Sequence, residues 1–167
     1  MAAATLSRRM AVARVRGQLL SAGTSVDEPS PAIAEAVTAA RELWFDLTSH
    51  ESTPLDATTV ANADLALGMT RAHAREIIVI EPAAVWRTFT LKELVRRGEA
   101  SPRNREPFED WLYRLASDRG PDELLGSSPD DDIADPIGQP LSVFRRTLTE
   151  LDDLADRLVH VAWPRIP

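Results

Sequence analysis

Twice in this chain a short apolar run passes straight into a helix-capping residue. Ala63-Asp-Leu-Ala-Leu-Gly-Met69 is followed by Thr70, and Val85-Trp-Arg-Thr-Phe89 is followed by the capping box Thr90-Leu-Lys-Glu93. Runs this short suit a strand better than a helix. Strands that alternate with helices pair in parallel, through right-handed crossovers. Gly17-Gln-Leu-Leu-Ser-Ala-Gly23, apolar and bounded by glycines, reads as a further strand of the same kind.

Helical patterns fill the intervals. Leu6, Met10 and Ala13 predict a helix over residues 2–15. Ser30-Pro31 reads as an N-cap with proline at the first helical position, ahead of Ile33, Val37, Ala40 and Trp44 at helical spacing. Asp56 caps a short helix through Val60, and Thr70 caps one that runs to Ile80 and stops at Pro82. Thr90 opens the next, Phe108 to Leu115 forms another, and Gly120 to Pro140 is the longest irregular region. Leu141, Phe144, Leu148, Leu151, Ala155, Leu158 and Val161 then make one long helical stripe. The expected class is α/β, a three-layer α/β/α arrangement with a small parallel sheet. At 167 residues the chain fits a single domain over 1–167. Three strands make an undersized sheet, and its opening on a helix points to a strand missing in front.

Composition removes several function classes. Nineteen Lys+Arg against 26 Asp+Glu leave a net charge of −7, which disfavours nucleic acid as a partner. No stretch approaches the roughly 20 apolar residues of a membrane span, and the first residues carry no secretory leader, so no membrane partner is expected and the cytoplasm is the expected location. The sequence has no cysteine, which excludes a disulfide framework, a thiolate metal site and a cysteine nucleophile within these residues. Asp130-Asp-Asp132 lacks a spaced ligand set and reads as a solvated acidic turn, so neither metal nor cofactor is expected. Arg96-Arg97 reads as no more than favourable charge near a helix C-terminus, and the tryptophans as core or rim packing.

Ser21-Ala-Gly-Thr24, Leu47-Thr-Ser-His50, Ala63 to His73, Trp86 to Glu93 and Asp132-Ile-Ala-Asp-Pro-Ile-Gly138 succeed one another in an order that resembles the low-molecular-weight protein tyrosine phosphatases, particularly actinobacterial members. The resemblance implies a sheet of four parallel strands, the first absent here. It also implies phosphotyrosine hydrolysis through a cysteinyl-phosphate intermediate. By that motif Asp135 is the general acid that protonates the leaving phenolate and later activates water. Ile137 stands at the substrate-binding position where the family carries an aromatic beside the substrate ring. Ser21 and His50 match residues that support the phosphate loop by hydrogen bonding.

The family's first strand and its Cys-x5-Arg loop have no counterpart in these residues. The resemblance therefore implies an N-terminally truncated domain, inactive unless extended, because a phosphate dianion needs both the thiolate and the loop's donors. Its implied partner is a phosphotyrosine-bearing protein, such as a bacterial tyrosine kinase or a polysaccharide-assembly protein. Two alternatives stand beside this reading. One is a non-catalytic interaction protein on the phosphatase fold; the other, an arsenate reductase-like activity, is disfavoured because that chemistry needs cysteines.

Overall fold

The computed structural model describes residues 1–26 and 28–164, with Pro121 described by its backbone alone. The described elements are α1 (Ala2–Ala13), α2 (Ala34–Glu42), α3 (Ala57–Ala61), β1 (Ala66–Gly68), α4 (Arg71–Ile80), β2 (Thr88–Thr90), α5 (Leu91–Ala100), α6 (Phe108–Ser117) and α7 (Leu141–Ala162). The chain divides into two compact units: Met1–Pro54 with Ala134–Val159, and Leu55–Ile133 with the chain from His160 onward.

In the first unit Ala36, Ala39 and Ala40 of α2 pack with Phe45, Leu47, and Phe144 and Leu148 of α7. Small residues on α2 let the two helices approach closely, and the aromatic rings fill the remaining space. Charge adds to this. Asp152 of α7 receives Arg8 at 2.6 Å and Arg9 at 2.5 Å, both from α1, and the Arg8 guanidinium lies 4.8 Å from the Phe45 ring centroid. Beyond the C-terminal end of α2 the Trp44 N–H donates to Arg41 O and the Phe45 N–H to Ala40 O, a Schellman closure. That geometry demands a left-handed residue, and Trp44 supplies it at φ 65°.

In the second unit β1 and β2 pair in parallel, with Ala66 opposite Thr88, Leu67 opposite Phe89 and Gly68 opposite Thr90. Each strand runs directly into a capped helix. The Thr70 hydroxyl accepts from the His73 N–H, and Thr90 and Glu93 close a complete capping box on α5. Glycine is required at the end of β1, because a Cβ on Gly68 would sit 2.8 Å from the Ala74 backbone nitrogen. Trp111, Leu112 and Leu94 are fully buried in this unit, and the Trp111 indole N–H donates to Ser101 O at 3.0 Å.

The α/β class with a small parallel sheet is what the chain shows, and four sequence expectations change. Residues 17–23 form no strand; Gly23 alone bridges Pro54, which has no N–H to extend a ladder. Leu20 is 66% exposed, so the apolar run has no sheet to bury it. Val85 to Arg87 belong to a 3-10 helix, Pro82–Arg87, capped by Glu81, and the strand begins only at Thr88. Pro82 both stops α4 and starts that turn. Ser30-Pro31 does not open α2, whose N-cap is Ile33; Pro31 instead bridges Glu51. Trp44 lies beyond α2 and is 91% exposed, the price of its place in the closure rather than in the helical stripe.

Candidate active site

Asp135 opens a tight turn that follows from its neighbours. The Asp135 Oδ1 accepts the Ile137 N–H at 3.0 Å, and the Gln139 N–H reaches Pro136 O at 2.9 Å. Gly138, at φ 76°, takes the third position of that second turn, where positive φ is required. Pro136 is buried while Asp135 is exposed, so the ring anchors the turn and the carboxylate faces outward. The Asp135 Oδ1 is thus held by a backbone donor within its own turn. Ile137 is 68% exposed and offers an aliphatic surface without a ring face.

Ser21 is exposed and His50 half-buried. Their segments are drawn alongside one another: the Gly23 N–H donates to Thr53 O at 2.8 Å, and the Ser52 N–H to Ser30 O at 2.9 Å. The span 51–54 is thus clasped from both sides. Among the described residues no hydrogen bond joins the side chains of Ser21, His50 and Asp135. An open cavity of about 330 Å³ lies beside the C-terminal half of α1, with Ser7, Met10, Val15 and Arg16 among its walls; none of those three residues lines it.

The irregular region ahead of the acid turn is built differently from its sequence reading. Asp131 is 3% exposed and paired with Arg71 at 2.6 Å and Arg96 at 2.9 Å, so it is neither a solvated turn nor an open cation site. Burial pushes its carboxyl up, but hydrogen bonds from Arg96 and Arg71 outweigh this and hold it below the ordinary value of 3.8. Asp132 accepts the Arg71 N–H at 2.7 Å, which caps the start of α4 a second time. Arg75 donates to Leu124 O and Gly126 O, and Lys92 to Pro129 O and Asp132 O. Arg96 and Arg97 likewise do more than answer a helix dipole, since Arg97 pairs with Glu93 at 3.0 Å and Glu123 at 2.5 Å. Apart from the Glu93–Arg97 pair, four residues apart on one helix, sequence reasoning missed this set because its partners lie roughly 25–60 residues apart, and no local period links them.

No model of a known protein family matches the chain. A protein-arginine-phosphatase of Geobacillus stearothermophilus is 30% identical over 143 residues, which cover 86% of this chain and 75% of that protein. The chain belongs to the low-molecular-weight protein tyrosine phosphatase family. The solved low-molecular-weight tyrosine phosphatase from T. tengcongensis superposes with a TM-score of 0.71 at 25% identity, over 95% of this chain and 87% of its own. The YwlE arginine phosphatase structure from G. stearothermophilus gives 0.67 at 29% identity, over 95% and 80%. This low-molecular-weight phosphatase relative has no cysteine in its 167 residues. No helix among the described residues is long and apolar enough to cross a membrane.

Proposed function

We propose that this chain carries the leaving-group side of a phosphoprotein phosphatase site, with Asp135 as its general acid and base. The observation that supports the reading most is the Asp135 turn: an exposed carboxylate whose Oδ1 is held by the Ile137 N–H. In the reaction a thiolate sulfur bonds to phosphorus as the bond to the tyrosyl oxygen breaks, and the Asp135 proton passes to that oxygen. Asp135 then takes a proton from water, whose oxygen bonds to phosphorus as the P–S bond breaks and the thiolate returns. With a phenol pKa near 10, protonation of the leaving group lowers the barrier substantially.

The 167 residues hold no thiol, so hydrolysis requires a Cys-x5-Arg segment from outside them, and on their own they are inactive. Ser21 and His50 serve as supports for that loop. The substrate is a phosphotyrosine-bearing protein, with a bacterial tyrosine kinase or a polysaccharide-assembly protein as the partner class, acting in the cytoplasm. A second reading, phosphoarginine, draws on two observations: Ile137 offers no ring to lie against a phenol, and arginine phosphatases are among the similar proteins.

The test is hydrolysis of phosphotyrosyl and phosphoarginyl peptides by the form that contains the nucleophile. Asp135→Asn is expected to lower kcat about 10²–10⁴-fold. An unchanged rate removes Asp135 from the mechanism. Cooperative unfolding of the 167-residue chain, with phosphopeptide binding but no turnover in any form, would favour the interaction-protein alternative.

A further inference from the structure

We infer that Gly138 is a positioning residue for the acid: its left-handed backbone turns the Ile137–Gly138 peptide so that the Asp135 carboxylate is held by one backbone N–H rather than two. The inference rests on the reading of Asp135 as the acid, and it concerns a residue with no side chain to take part in the reaction.

Four exposed residues, Ile137, Gly138, Gln139 and Pro140, span the gap between buried Pro136 and Leu141, the first residue of α7, which packs against the core of the same unit. Side-chain packing has little hold on such a turn, so its shape rests on its own backbone. The Gln139 N–H closes it on Pro136 O at 2.9 Å, with Ile137 and Gly138 at its centre. Among the described residues only Arg14 and Trp44 combine a side chain with positive φ, so Ile137 keeps a negative one, and Gly138 at 76° makes the turn type II. A type I turn closes with the same hydrogen bond; the two differ by a half-turn of the peptide between their central residues. In type II that peptide directs the Gly138 N–H away from the side to which the Ile137 N–H points, and the latter reaches Asp135 Oδ1 at 3.0 Å. In type I the two N–H groups run roughly parallel, as at a helix start, where a capping aspartate meets the second and third N–H. Asp135-Pro136 is itself the pairing of a cap with proline at the first helical position, so this alternative is a real competitor. Each N–H donated to a carboxylate favours its charged form, whereas a general acid must arrive protonated. A Cβ on Gly138 would meet nothing within 4 Å, so glycine supplies backbone conformation here rather than room.

The experiment compares the wild type, Gly138→Ala and Gly138→Asn by nuclear Overhauser contacts in the full 167-residue chain. The wild type is expected to show the Ile137 Hα close to the N–H of residue 138, as type II requires. Left-handed backbone costs most L-residues about 1–2 kcal/mol, so Gly138→Ala should shift the balance toward type I about 5–30-fold, with the N–H groups of residues 137 and 138 now adjacent. Asparagine visits the left-handed region routinely and should restore most of the wild-type contacts. In the form that contains the nucleophile, Gly138→Ala is expected to lower kcat by up to the same factor with KM unchanged, and Gly138→Asn to recover most of the loss. An effect of side-chain bulk predicts the reverse order, since asparagine is the larger. A Gly138→Ala chain that keeps the type II contacts overturns the inference, as does one whose turn flips while kcat holds, or an Asn variant no better than Ala. If Asp135→Asn leaves hydrolysis unchanged, it is the reading of Asp135 that fails, while the turn contacts still report whether Gly138 sets the peptide.

Discussion

Asp152 and Asp131 each gather two arginines, yet they do different work. Asp152 ties α1 to α7 within a unit where Phe144, Leu148 and Phe45 already bury an apolar core. Its ion pairs sit at the margin of that core, with side-chain exposures of 14% for Asp152, 34% for Arg8 and 28% for Arg9. Asp131 is more deeply enclosed and holds an irregular segment that buries little apolar surface of its own. The same chemistry thus supplements an apolar core in one place, and in the other joins Arg75 and Lys92, which donate to backbone carbonyls, in holding a segment that has little core of its own. Partner exposure alone does not decide what an ion pair contributes; what else holds the same elements together matters as much.

Removing apolar packing from the first unit tests this contrast most severely. Phe144→Ala is expected to cost about 3–5 kcal/mol in denaturant unfolding, the range for a buried aromatic. A cost near zero would mean that the ion pairs, not the core, hold α7 in place. Acid comes next because it removes both carboxylates. Burial pushes Asp152 up as it does Asp131, but hydrogen bonds from Arg9 and Arg8 hold it below 3.8. A carboxyl depressed in the folded state contributes stability fully above its unfolded pKa and loses it as pH falls through the folded one. Both attachments should therefore survive to about pH 4 and fail below it. Loss of backbone order at Asp132 and Ile133 near neutral pH, read by ¹⁵N relaxation, would contradict the ionic account.

Asp152→Asn alone should cost about 1–2 kcal/mol, between surface and buried pairs, with the fold retained. A cost equal to that of Phe144→Ala would erase the distinction between the two units. The smallest expected change is a gain. Trp44→Gly relieves a left-handed backbone at a residue that is 91% exposed, and should stabilise the first unit by about 1 kcal/mol in thermal unfolding. A loss would show that the ring packs on something more valuable than the strain it causes.

Where local chemistry decides the structure, the sequence was a good guide. Asp56, Thr70 and Thr90 cap the helices they announce, and the long stripe from Leu141 becomes α7 within a residue of its expected end. The errors fall where a neighbour distant in sequence decides. Residues 17–23 have strand-like composition, but strand geometry needs a ladder, and only Gly23 finds a bridging partner. Ser30-Pro31 carries a plausible helix start, but the Ser30 carbonyl and Pro31 are engaged by Ser52 and Glu51. The candidate site divides in the same way. The Asp135 turn was legible because Asp, Pro and Gly define it within five residues. The three-aspartate run was misread, because solvation or burial of Asp131 depends on Arg71 and Arg96, and nothing in the run itself names them.

The most direct test of the account is the intact mass and N-terminal peptide of the protein isolated from its own cells, with phosphopeptide hydrolysis measured on the same preparation. The account predicts that any preparation that hydrolyses phosphopeptide contains Cys-x5-Arg, has a mass above 18.4 kDa and loses most of its rate in Asp135→Asn. An 18.4 kDa product, with no cysteine in it, that hydrolyses phosphopeptide would contradict that prediction.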